Sequence, residues 1–192
     1  MKNKKGFTLI ELLAVIVILA ILLAVAIPRV TQYITNSRKN SFVTTTKDFV
    51  DAIRKDATSE IYDFPIANSD VTIVSVNMVG LEKGGLKSAY NGRWIQNSSY
   101  VAIINVGTDI DPVYNYYVAL SDSKRYTIPL TLDESVNTSS IIRNTNSKNR
   151  TDITPICGDT EGKYMIISNI AGLEAYRPVN GWNATVYSSD GC

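Results

Sequence analysis

Histidine is missing altogether from this chain of 192 residues. Its absence excludes Ser-His-Asp and Cys-His catalysis, His-ligated zinc and a histidine pH switch. Cysteine is scarce. Cys157 and Cys192 are the only two, too few for a four-thiolate zinc site or an iron–sulfur cluster. Nor is there an excess of charge of one sign. Lys+Arg is 19 and Asp+Glu is 18, a formal net charge of +1, so no nucleic-acid partner is expected. Gly84-Gly85 lacks the Gly-Lys-Ser/Thr that would complete a phosphate loop. The carboxylates Glu60, Asp63, Glu82, Asp133, Glu134, Glu161 and Glu174 are scattered without a catalytic motif. The expectation is a protein that is not an enzyme, with no cofactor and no metal. Asp109 and Asp111 flank Ile110, and such a pair can hold calcium, but a solvated turn is the simpler reading.

What the chain does have is concentrated at its start. Met1-Lys2-Asn3-Lys4-Lys5-Gly6 places three lysines in six residues. Phe7-Thr8-Leu9-Ile10-Glu11 follows, and then an unbroken apolar run from Leu12 to Ile27, closed by Pro28 and Arg29. A helix over 7–27 is roughly 31 Å long at 1.5 Å per residue. That matches a bilayer core of about 30 Å. Lysines ahead of the span predict a cytoplasmic N-terminus, with the remainder outside.

Three ordinary readings compete for such a segment. One is a secretory signal peptide, with Ala24-Val25-Ala26 near its cut site. Another is a plain single-pass anchor. The third is a buried core helix, which no other segment of the chain is able to cover. Glu11 discriminates among them. A carboxylate inside a span costs about 2.5–3.5 kcal/mol on insertion scales and marks function. An anchor or a signal peptide has no use for it. A cut between Gly6 and Phe7 would create an α-amino group of pKa about 7.7–8.0. That amine stands one helical turn from Glu11, in its own chain or facing that of a neighbour. Pairing with a neighbour would make each new subunit satisfy a charge in the one before it.

The run Lys4-Lys5-Gly6-Phe7-Thr8-Leu9-Ile10-Glu11-Leu12-Leu13 resembles the class III signal of type IV prepilins. The short leader is similar to that of type IVa pilins, and the Ile-, Asn- and Lys-rich usage resembles a clostridial major pilin. The resemblance implies cleavage after Gly6 by a prepilin peptidase, N-methylation of Phe7 and a register-setting role for Glu11. It also implies that Pro28 kinks the helix. The partners it implies are further copies of the chain in a helical homopolymer, an assembly platform, motor ATPases, and the membrane before assembly. Loss of the leader's lysines would change the formal charge from +1 to −2.

Beyond Pro28, Val30, Ile34, Phe42, Phe49, Ile53 and Ala57 recur at helical spacing, with Val50 widening the stripe. The pattern predicts an amphipathic helix to about residue 63, its stripe covering one face of a sheet. Segments 71–79, 100–106, 113–120, 126–132, 163–168 and 182–187 are rich in β-branched and aromatic residues. The fold class is therefore α+β: a long N-terminal helix, half transmembrane and half amphipathic, packed on an antiparallel sheet. The organisation read from this is a leader at 1–6, a transmembrane and fibre-core helix at 7–28 and an amphipathic helix at 29–63. A β-sheet head follows at 64–192, with a polar surface loop at about 133–159.

Outside the membrane, thiols oxidise in pairs, so a Cys157–Cys192 bridge is expected, with two free thiols as the alternative. Loop entropy alone would give the bridge roughly 3–4 kcal/mol. It resembles the C-terminal disulfide loop of many pilins. The function expected is a pilus subunit for adhesion, motility or biofilm formation, held in the cytoplasmic membrane before assembly and at the cell surface afterwards. The alternatives are a pseudopilin of a secretion or DNA-uptake system and a monomeric membrane-anchored binding domain.

Overall fold

The computed structural model describes residues 6–66, 70–79, 87–144 and 183–187. The chain divides into two units, Met1–Arg38 and Lys39–Cys192. One helix, α1, runs Leu9–Thr58 and contributes to both. Leu, Ala and Ile dominate its first half. Pro28 lies inside it without ending it. Threonines further along turn their hydroxyls onto carbonyls one turn back, as in Thr31 to Ile27 and Thr35 to Thr31, both at 2.9 Å. This satisfies a polar side chain within the helix itself. The helix closes with Glu60 in the left-handed region at φ 58. Ile61 N–H reaches the Asp56 carbonyl and Glu60 N–H the Ala57 carbonyl, both at 3.0 Å. These are the two bonds of a Schellman closure, with glutamate where glycine is usual.

In the first unit the apolar side chains of α1 are exposed on every side, from Leu9 at 84% to Ile27 at 59%. A helix apolar all round requires lipid or other helices about it. In the second unit Phe42, Thr46, Phe49, Val50, Ile53 and Ala57 are buried. The covered stripe therefore begins at Phe42. Val30 and Ile34, expected within it, are exposed.

The sheet has six strands: β1 Asp70–Ser75, β2 Tyr100–Asn105, β3 Tyr114–Ser121, β4 Tyr126–Leu132, β5 Ile142–Arg143 and β6 Asn183–Tyr187. Their spatial order is β5-β4-β3-β2-β1-β6. All neighbours are antiparallel except β1 and β6, which pair in parallel with Val71 opposite Ala184. The antiparallel sheet expected from the sequence is present, with one parallel pair at its edge. A parallel pair needs a long crossover, and the chain from Arg143 to Asn183 is long enough to reach the far edge. The expected strand at 163–168 lies outside the described residues.

Side chains alternate between the two faces. Val74, Val101, Ile103, Val118, Leu120 and Ile128 pack with the helix stripe. Val71, Ile73, Tyr100, Ala102, Ile104, Tyr117 and Ala119 form a second buried cluster on the opposite face. Burial on both faces explains why 100–104 reads as continuous apolar sequence. The register between β3 and β4 shifts between Val118 and Leu120. Pro129 sits in the irregularity, where its missing N–H costs no ladder bond. Of the polar stretch at 133–159, the described part holds a short turn at Asp133–Ser135, a buried Val136 and the edge strand β5.

Candidate assembly site at the helix N-terminus

Gly6 and Phe7 precede α1, and both are exposed. A Cβ added at Gly6 would meet nothing within 4 Å. Nothing in this chain's own packing therefore demands glycine there. Phe7 is 79% exposed.

Thr8 and Glu11 form a closed unit. The Thr8 N–H donates to Glu11 Oε2 at 2.9 Å, and the Thr8 hydroxyl donates to the same oxygen at 2.7 Å. In return the Glu11 N–H points to Thr8 Oγ1 at 3.4 Å. This is a capping box: a threonine before the helix and a glutamate three residues on exchange hydrogen bonds, satisfying backbone donors that a helix start leaves open. The partner that Glu11 needs is provided here by Thr8 of the same chain. The expected partner, a free amine at Phe7, leaves Thr8 out of account. The signal was present, since Thr-x-x-Glu ahead of an apolar run is itself a helix-start motif.

Glu11 sits at the rim of a wholly apolar cylinder. Leu9, Ile10, Leu12 and Leu13 surround it, all more than half exposed. Among the described residues one helix, α1, is long and apolar enough to cross a membrane. Pro28 lies far along this helix from Glu11, so the structure does not bring the two together. Cys157 and Cys192 lie outside the described residues.

Two groups of charges in the second unit serve the fold. Arg54 holds Asp51 at 2.7 Å and Asp133 at 2.6 Å, and lies 4.5 Å above the Tyr116 ring. Asp122 is fully buried; its Oδ1 accepts the N–H groups of Lys124 and Tyr126 at 2.9 and 2.8 Å, and the Ser88 hydroxyl donates to its Oδ2. It ties the β3–β4 turn together. Among the described residues no three of the Cys, Asp and Glu side chains gather where they could hold a metal. Asp109 and Asp111 sit on the β2–β3 turn.

A long apolar N-terminal helix packed through its second half on a mostly antiparallel sheet is a pilin-like α+β fold. A family model of the prokaryotic N-terminal methylation motif matches residues 1–27. Those residues carry the class III signal peptide of type IV pilins. The motif implies processing by a prepilin peptidase and assembly, and it points to a structural protein rather than an enzyme. No match is found among the curated proteins or among the solved structures.

Proposed function

We propose that this chain is the structural subunit of a type IV pilus. It waits in the cytoplasmic membrane through residues 7–28 and is cut after Gly6. Phe7 is then N-methylated, and the chain polymerises through its N-terminal helix into a surface fibre. The observation that carries this reading is the Thr8–Glu11 box at the mouth of an exposed apolar helix. A carboxylate held, among the described residues, by its own helix start keeps acceptor capacity for another cation. The amine freed at Phe7 by cleavage is one turn away and charged near neutral pH. In a fibre it comes from the adjoining subunit, which sets register. The driving force is exchange of lipid contact for helix packing among the side chains of 9–27. Pro28, which deprives the helix of one backbone bond, lets it bend there. Adhesion, motility or biofilm formation is the role that the family resemblance adds to this reading.

The deciding experiment is intact and N-terminal peptide mass spectrometry on material sheared from the cell surface. The expected mature chain begins at N-methyl-Phe7, lighter by two hydrogens if Cys157 and Cys192 are bridged. A chain still beginning at Met1 in the membrane fraction would make it a static anchor. One beginning after Ala26 would make it a secreted protein, and the fibre reading would fall. A processed chain with no surface fibre would favour a pseudopilin.

A further inference from the structure

Antiparallel pairing sends successive turns to opposite ends of a sheet. In the second unit the β2–β3 turn, 106–113, stands at one end beside the start of β1, because Val71 pairs with Ile104. The β3–β4 turn, 122–125, stands at the other. At the turns and strand ends of the sheet, the charges fall into two groups. Asp70, Asp109 and Asp111 lie at the first, joined by Glu134 just after β4. Arg54, on the helix, is already engaged by Asp51 and Asp133. Lys87, Arg93, Lys124, Arg125 and Arg143 lie at the second end, where the acid is Asp122, buried within hydrogen bonds. Arg93 is placed there by its backbone bonds with Ser123, and Lys87 by Ser88, which bonds Asp122.

The acidic end also carries a stiff apolar tip. Buried Asn105 accepts the Gly107 and Val113 N–H groups at 2.9 and 3.2 Å and donates to the Ile66 carbonyl at 2.9 Å. Across the turn, Thr108 N–H bonds the Asp111 carbonyl and Asp111 N–H bonds Thr108 Oγ1, each at 3.0 Å. A Cβ on Gly107 would lie 2.4 Å from the Asp111 carbonyl oxygen, so the turn closes only over glycine. Held this way, Ile110 is 97% exposed, with Ile66 at 75% and Val113 at 52% nearby. A lone exposed isoleucine needs no explanation. One fixed at a hydrogen-bonded tip between two carboxylates, beside further exposed apolar side chains, has the form of a contact knob. The opposite end carries half-buried aromatic surface among its cations. Tyr90 and Tyr126 stack there, and Arg143 stands 5.6 Å from the Tyr126 ring.

We propose that these two ends dock on each other between copies of this chain. The Asp109–Ile110–Asp111 tip of one copy seats on the Arg93, Lys124 and Tyr126 end of the next. Such a contact is head-to-tail, which suits a filament and not a two-fold dimer. It rests on the fibre reading above and adds a second bond between subunits, formed by the heads. Opposite charges at its two sides fix polarity, because like ends repel.

The test joins carboxylates to amines with a zero-length carbodiimide cross-linker on intact sheared fibres, followed by peptide mass spectrometry. The two ends are separated by β3, roughly 25 Å at 3.3 Å per residue. A link from Asp109 or Asp111 to Lys124 or Lys87 must therefore join two copies. Such links are expected in fibres and not in detergent-dissociated subunits. Arg93→Glu with Lys124→Glu, or Asp109→Lys with Asp111→Lys, should each lower fibre yield about tenfold or more. The chain carrying all four changes should recover fibres, which a folding defect would not allow. Normal yields in both reversed variants, or links from the tip only to some other protein, would overturn the contact while leaving the fibre reading in place. Absence of fibres from the unaltered, processed chain would remove the reading beneath it.

Discussion

Gly6, Thr8 and Glu11 have separable tasks. A side chain at Gly6 meets no neighbour, so Gly6→Ile should leave the fold alone and block cleavage; an immunoblot showing normal processing would move the cut site elsewhere. Glu11→Gln keeps an oxygen for the Thr8 N–H but gives up the charge. It should insert and be processed normally while fibre yield falls about tenfold, the factor that ~1.4 kcal/mol of lost pairing represents. Thr8→Val removes the hydroxyl from the box and leaves the carboxylate. It should cost the helix start about 1 kcal/mol and reduce fibre yield less than Glu11→Gln. If the two variants rank the other way in sheared-fibre yield, Glu11 acts as a cap and not as a partner for the neighbouring amine. Glu11 was legible because a charge in an apolar run conflicts with its surroundings. Thr8 stands out less, because a threonine at a span's edge conflicts with nothing and its role shows only in the Thr-x-x-Glu spacing.

Among the elements, those with a clear period were readable before the structure. The helix and the strands β1 to β4 and β6 fall within or beside the segments read from apolar spacing and β-branched content. Position within an element was less legible. Val30 continues the helical spacing of Phe42 and Phe49, yet it is 55% exposed while they are fully buried. Spacing records which face a residue shares, not where the covering sheet begins. Thr46 shows the converse: it is buried in the stripe because its hydroxyl bonds the Phe42 carbonyl at 2.8 Å. Strand β5 was lost inside a polar stretch, since two residues carry no period, and the direction of β6 depends on a crossover that local pattern does not encode. The contrast along the stripe is testable by denaturant unfolding of the detergent-solubilised chain. Phe49→Ala should destabilise the head by about 3–5 kcal/mol. Val30→Ala should change it by no more than about 0.5 kcal/mol. Equal effects would mean that the buried stripe begins a full three turns earlier than Phe42.

For the molecule as a whole, the missing histidine and the abundant tyrosine set the pH response. No side chain titrates with an ordinary pKa between those of the carboxylates and the thiols, and the α-amino group, at about 7.7–8.0, belongs to the first unit, so head stability should be flat from about pH 6 to 8. The alkaline side differs. Burial pushes the Tyr100 hydroxyl far above its ordinary range, and among the described residues that hydroxyl has no hydrogen-bond partner. Burial, with the Asp56 charge, raises Tyr62; burial also raises Tyr116, against the opposing pull of Arg54. Each raised value means that the folded state keeps a proton the unfolded state has released once pH passes about 10. Unfolding is then favoured progressively as pH rises, and the stability these tyrosines contribute is fully present only below that point. Circular dichroism of the solubilised chain should therefore show a level plateau through neutrality and loss of the sheet signal at pH above about 10. Tyr100→Phe deletes a buried hydroxyl that, among the described residues, has no partner and whose ionisation burial opposes. It should leave neutral stability unchanged or slightly higher and move the alkaline transition upward. An unshifted transition in that variant would place the alkaline weakness at the more accessible Tyr62 and Tyr116, and the second buried face, centred on Tyr100, would not be what gives way first.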